Sequence, residues 1–121
     1  PEAPTTTAPL MVACLCAEWC GVCNAYTQTF EALKARFPGV RFVWIDVEDE
    51  EDLIHPLEVE NFPTLLIALG HQARFFGPLR PQIETVERLI RAHLDDPDAP
   101  ALAHPDVAAL AARLSANARS A

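Results

Sequence analysis

The sequence predicts an α/β fold with a four-stranded mixed sheet flanked by helices, and three observations predict it. Leu10 to Val47 reads as apolar strand, amphipathic helix, apolar strand, which is a β-α-β unit. Two further apolar runs joined by Gly70-His71-Gln72 read as an antiparallel hairpin. The chain is 121 residues long and 50% hydrophobic, the size of one domain with a real core. The boundaries that follow are a flexible N-terminal segment over 1–9, a folded domain over 10–94, and a Pro-rich linker with a C-terminal helix over 95–121.

Residues 1–9 (PEAPTTTAP) carry no apolar period. Leu10 to Ala17 (LMVACLCA) is almost continuously apolar, the pattern of a central strand covered on both faces. From Gly21 to Phe37 the residues Val22, Tyr26, Phe30, Leu33 and Phe37 recur at helical spacing until Pro38-Gly39 stops them. Val40 to Val47 is β-branched and aromatic, a strand parallel to the first if the helix makes a right-handed crossover, and Trp44 within it reads as core. The acidic stretch Glu48 to Glu60 has Leu53, Ile54 and Leu57 at helical spacing but contains Pro56, so a short or broken helix is expected.

Thr64 to Leu69 and Ala73 to Phe76 are the hairpin strands, the second ended by Gly77-Pro78. Pro81 to Leu94 places Ile83, Val86, Ile90 and Leu94 on one stripe of a helix that lies on the sheet. Asp95 to Pro105 is a linker, and Asp106 to Ala118 is an Ala-rich helix with Val107, Leu110, Ala111 and Leu114 as its stripe. That helix is expected to cover bare sheet in its own chain, with a second subunit as the rival partner.

Chemistry concentrates in one place. All four cysteines, Cys14, Cys16, Cys20 and Cys23, fall within ten residues, whereas a disulfide framework scatters them along a small secreted chain. Cys20 stands where the strand gives way to the helix, and the unpaired N–H groups and positive dipole end there stabilise a thiolate. It is the candidate nucleophile. Cys23 follows at i+3, one turn on and within disulfide reach, and is the candidate resolving thiol. Attack by Cys20 on a substrate disulfide forms a mixed disulfide, which Cys23 resolves; a redox-active Cys20–Cys23 disulfide then needs no other cofactor.

Cys14 and Cys16 read as small core hydrophobes, with a regulatory disulfide through Cys16 as the lesser reading. A four-cysteine metal site is disfavoured, because a zinc ribbon sets its pairs about 15 to 20 residues apart. His55, His71, His93 and His104 lack ligand spacing and read as solvated.

The chain resembles the thioredoxin family through Ala17-Glu18-Trp19-Cys20-Gly21-Val22-Cys23, then Phe62-Pro63-Thr64, then Gly77, a likeness running from Leu10 to Leu94. The resemblance implies the thioredoxin-like fold reduced to its minimal four strands, since only nine residues stand before Leu10 where the family has a first strand and helix. It implies a cis Phe62-Pro63 bond facing Cys20. It also implies a substrate groove made by Trp19, Gly21, Val22, Phe62, Pro63 and the Phe76-Gly77 turn, where an extended peptide pairs with backbone. Its activity would be protein-disulfide reduction, with disulfide-containing proteins as substrates and an upstream reductase as electron donor.

Two departures bear on that chemistry. Cys14 and Phe42 occupy the places of the family's buried acid and its lysine partner, which removes a base near Cys23 and predicts a slow resolving step unless water or Glu18 substitutes. Val22 stands where the most reducing members have proline.

A net charge of −8 and the absence of a basic patch argue against nucleic acid and anionic membranes as partners. No apolar run approaches a membrane span. A bacterial, cytoplasmic monomer is expected, periplasmic if a leader was removed. An adaptor with little turnover, and a disulfide oxidase or isomerase, remain the alternatives.

Overall fold

A computed structural model describes residues 10–17, 21–55, 57, 59, 62–70, 72–80, 82–96 and 98–120, with the side chains of Val22 and of 116–120 outside the description. Its elements are β1 (Leu10–Cys16), α1 (Gly21–Arg36), β2 (Arg41–Asp46), α2 (Glu51–Ile54), β3 (Thr64–Leu69), β4 (Gln72–Pro78), α3 (Ile83–Asp95) and α4 (Pro105–Ser120). The strands form one sheet in the order β2-β1-β3-β4. β1 runs parallel to β2 and antiparallel to β3, and β3 antiparallel to β4. The mixed sheet flanked by helices is the architecture that the apolar runs predict.

Every residue of β1 is buried, so its alternating side chains feed two separate cores. Leu10, Val12, Cys14 and Cys16 point to one layer, with Leu65 and Ile67 of β3. That layer is roofed by Cys23, Tyr26, Phe30, Leu33 of α1 and Val86, Ile90 of α3. Met11, Ala13 and Leu15 point to the other, where Ile45, Leu66, Ala68 and Ala73 meet Val107, Leu110, Ala111 and Leu114 of α4. The C-terminal helix thus covers a face of its own chain's sheet.

Directional bonds fix α4 there. The Arg113 guanidinium donates from Nε to the Leu53 carbonyl at 2.8 Å and from Nη2 to the His55 carbonyl at 3.3 Å, holding the end of α2. Arg41 Nη1 donates to the Leu114 carbonyl at 3.3 Å. In the linker, the Leu102 N–H donates to the Ala73 carbonyl at 2.8 Å, laying backbone along part of edge strand β4. On the opposite layer, Arg36 of α1 and Arg91 of α3 both bond Glu87. Those bonds, Arg91 first, hold the Glu87 carboxyl below the ordinary carboxylate value, so their support is present near neutral pH and fades as acid protonates the group.

Three readings of the sequence are corrected. Trp44 is 39% exposed, because β2 is the sheet's edge; Phe30 packs against it at 5.7 Å between ring centroids. Gly77-Pro78 does not end the last strand: β4 continues to Pro78, pairing Gly77 with Leu65 and Pro78 with Thr64, which an edge strand permits because proline withholds only an outer donor. Leu94, the last residue of the stripe and next to the end of α3, is 43% exposed rather than buried. The acidic stretch holds a single turn of helix, α2. The 1–9 segment, His71 and Pro81 lie outside the described residues.

Leu110→Ala, at a fully buried position, is expected to lower unfolding stability by about 3 kcal/mol, whereas Leu94→Ala stays within about 0.5 kcal/mol of wild type; urea titration followed by circular dichroism reads both. Equal costs would show that α4 is not packed on the sheet.

Candidate active site

The carboxyl end of β1 and the first turn of α1 meet at sulfur. Cys16 is the last residue of β1, and Cys23 is the third residue of α1. Each is 1% exposed. Their sulfurs are in direct contact as a disulfide pair, with the Cα atoms 5.7 Å apart, inside the range a disulfide spans. Cys14 lies two residues back on the same face, its Sγ 3.4 Å from that of Cys16. Three sulfurs therefore line up through the core beneath α1.

The environment sorts these thiols. Cys14 is a free thiol buried among Val12, Leu65, Tyr26 and Phe30, and desolvation pushes its pKa up to about 12. Burial likewise raises the Tyr26 phenol, which donates to the Arg80 carbonyl at 3.2 Å. That bond ties α1 to the segment after β4.

Two hollows contain residues singled out from the sequence. One, of about 450 Å³, runs between α1 and β2, with Cys16, Cys23, Trp44 and Asp46 among its lining. Asp46 faces it, but its Oδ1 accepts from the N–H groups of Glu48 at 2.9 Å and Asp49 at 3.1 Å, so the carboxylate is committed to a turn. The other, of about 400 Å³, is lined by Phe62, Pro63, Pro78, Leu79 and Arg80. The Phe62–Pro63 peptide bond is cis, and the Pro63 carbonyl accepts from the Leu79 N–H at 3.3 Å.

Of the residues singled out from sequence, Phe62 and Pro63 share this second hollow, whereas Gly77 sits within β4 and lines neither. Gly21 is the exposed first residue of α1. Trp19, Cys20, Glu18 and the Val22 side chain lie outside the described residues.

One reading needs correcting. Cys16 is not simply core filler: its sulfur pairs with Cys23, so the lesser reading of a disulfide through Cys16 holds over the leading one, and Cys23 has a partner other than Cys20. The physical reason is parity, since an i, i+2 step on a strand puts Cys14 and Cys16 on one face, and α1 lays Cys23 on that face. The period-2 pattern carries that signal. Asp46 was also missed; its register opposite Cys16 at the carboxyl ends of parallel strands is the mark that would have found it. Among the described residues no group of three or more His, Cys, Asp or Glu is placed to hold a metal, and no helix is long and apolar enough to cross a membrane.

Residues 5–86 match the family model described as thioredoxin. The chain belongs to the thioredoxin family. A rabbit (Oryctolagus cuniculus) thioredoxin is 38% identical over 84 residues, covering 67% of this chain and 80% of that protein. An H-type thioredoxin of Fagopyrum esculentum is 31% identical over 87 residues, covering 72% of this chain but 65% of its own length, so this thioredoxin-family chain spans just under two thirds of that relative. Among solved structures, the thioredoxin NaTrxh of Nicotiana alata aligns with a TM-score of 0.64 at 27% identity, over 71% of this chain and 74% of that one. Thiol–disulfide oxidoreduction is the chemistry of the thioredoxin family.

The raised Cys14 pKa has a sign. The unfolded thiol ionises near its ordinary 9.0 and the folded one only near about 12, so this contribution to stability is complete below pH 9.0 and is lost as pH climbs toward about 12. Cys14→Ala should flatten that alkaline decline relative to wild type in denaturation curves recorded between these pH values. Identical slopes would show that Cys14 is not protected.

Proposed function

We propose that the protein reduces protein disulfides by dithiol–disulfide exchange, with Cys20 as nucleophile and Cys23 as resolving thiol. The observation that carries this reading is the position of Cys23: one turn into a helix that starts at the end of the central strand, buried, and with its sulfur in disulfide contact with another. A thiol so placed is shielded from bulky oxidants and is set to pair with a sulfur brought beside it. The hollow lined by Phe62 and Pro63 supports a place for an extended substrate segment; Trp19, Gly21, Val22 and Gly77 complete the proposed contact set from the family resemblance, outside that lining.

In the forward reaction the Cys20 thiolate attacks a substrate disulfide, and the first substrate sulfur leaves as thiolate. Cys23 then attacks Cys20 Sγ, the second substrate sulfur leaves, and the Cys20–Cys23 bond carries the two electrons' worth of oxidation. An upstream reductase returns the pair to dithiol. The setting that suits this direction is a reducing, cytoplasm-like compartment, with the protein acting as a monomer and without a further cofactor.

The second step needs Cys23 to lose its proton, and the buried Cys14 thiol stays protonated at neutral pH, so it cannot act as the base. This favours slow resolution, and in its extreme form an adaptor that holds partners with little turnover.

Insulin reduction checks the reading. Cys20→Ser should lose at least about a hundredfold in rate, and Cys23→Ser should accumulate mixed disulfides visible as mass-shifted adducts. Retained activity in Cys20→Ser would end the assignment. A Cys20/Cys23 potential near about −270 mV accords with a reductase, and one near about −180 mV or above indicates oxidation or isomerisation instead.

Cys14→Asp should speed the resolving step, because burial lifts a carboxyl pKa toward neutrality, where a base works best. An unchanged single-turnover rate for release of reduced substrate would show that no base is lacking.

A further inference from the structure

We propose that Cys16 is a third redox thiol, which takes Cys23 from Cys20 by disulfide exchange and leaves Cys20 as a lone thiol. The exchange rests on the Cys20–Cys23 pairing proposed above. Cys16 and Cys23 are already in sulfur–sulfur contact, with a Cα separation that a disulfide accommodates. Cys20, at i−3 from Cys23 on the sequence, competes for the same sulfur. Cys23 is thus shared between Cys20 and Cys16.

The step is redox-neutral. The Cys16 thiolate attacks Cys23 Sγ of the Cys20–Cys23 disulfide; the Cys16–Cys23 bond forms and the Cys20–Cys23 bond breaks. The electron pair leaves on Cys20 Sγ, and the proton lost by Cys16 is returned to Cys20 from solvent. No outside oxidant is consumed, because one disulfide is exchanged for another.

Three features of the surroundings fit an exchange confined to this pair. Cys16 and Cys23 are each 1% exposed, so bulky disulfides do not reach them and the natural oxidant of Cys16 is its sulfur neighbour. Cys14, although 3.4 Å from Cys16, is a thiol held protonated by its apolar setting and is a poor attacker. Cys16 at the end of β1 and Cys23 in the first turn of α1 belong to one core layer, so strand and helix present their sulfurs to each other.

The consequence for activity is a change of type. With Cys23 bound to Cys16, Cys20 still forms a mixed disulfide with a substrate, yet nothing inside the chain resolves it. The protein then holds its partner until an external thiol, such as glutathione, releases it.

The sequence supplies a direct assay. Cleavage after Glu2, Glu18 and Glu31 by a glutamyl endopeptidase puts Cys14 and Cys16 on the peptide 3–18, and Cys20 and Cys23 on 19–31. A Cys20–Cys23 disulfide leaves these peptides separate, and a Cys16–Cys23 disulfide joins them. Wild type and Cys20→Ser would be oxidised with diamide, acid-quenched, alkylated, denatured, cleaved and weighed by mass spectrometry.

The joined peptide is expected in both proteins, as the dominant oxidised form in Cys20→Ser, and is expected to vanish in Cys16→Ala while persisting in Cys14→Ala. Absence of the joined peptide from wild type and Cys20→Ser overturns the exchange, whether or not Cys16→Ala folds. A joined peptide that persists in Cys16→Ala and vanishes in Cys14→Ala overturns it too. Insulin reduction without any joined peptide sinks the exchange and spares the reductase reading, whereas a joined peptide without insulin reduction by wild type does the reverse.

Discussion

A strand buried on both faces must send alternate side chains to opposite layers, and this constraint on β1 organises the molecule. Seven consecutive buried residues leave no freedom of register, because a slip of one position would move Cys14 and Cys16 out of the layer under α1 and Met11 and Leu15 into it. The hydrophobic penalty of that slip fixes where the sulfurs lie. The cysteine geometry is a by-product of core packing, and the helix that roofs the same layer delivers Cys23 to it. Site and core are therefore one object on this side of the sheet.

The thiols differ because their surroundings differ. Cys14 sits mid-strand with apolar neighbours above and beside it, so its charged form is unfavourable and it remains a thiol. Cys16 and Cys23 sit where the strand ends and the helix begins, next to a hollow that reaches the surface between α1 and β2. A distance of two residues along β1 separates an inert sulfur from one that pairs. Position along the strand, rather than residue type, decides which sulfur takes part.

Much of the fold was legible because hydrophobic period is a direct record of burial. The unbroken run Leu10 to Ala17, the helical recurrence from Tyr26 to Phe37 and the stripe Val107, Leu110, Ala111, Leu114 each became the element they described. Failures came where tertiary placement overrides pattern. Trp44 has the composition of a core residue, yet edge position exposes it, and strand order is not written in local sequence. Gly77-Pro78 carries a stop signal that an edge strand tolerates. At the site, the C-x-x-C spacing drew attention to Cys20 and Cys23, while the C-x-C spacing of Cys14 and Cys16 held equal geometric information once read at period 2. A pair of cysteines in an apolar strand looks like filler until the helix above it is placed.

Among the described residues the two cores share no side chain, so the sheet works as a partition between a layer under chemical constraint and one that answers to packing. Small residues crowd the second layer, with Ala13, Ala68 and Ala73 beneath α4 and Ala111 on it. That layer is where an engineer seeking heat resistance would work, since Cys14, Cys16 and Cys23 all belong to the other one. The layer beneath α1 offers no such freedom: there each change of volume is also a change in the distance between thiols.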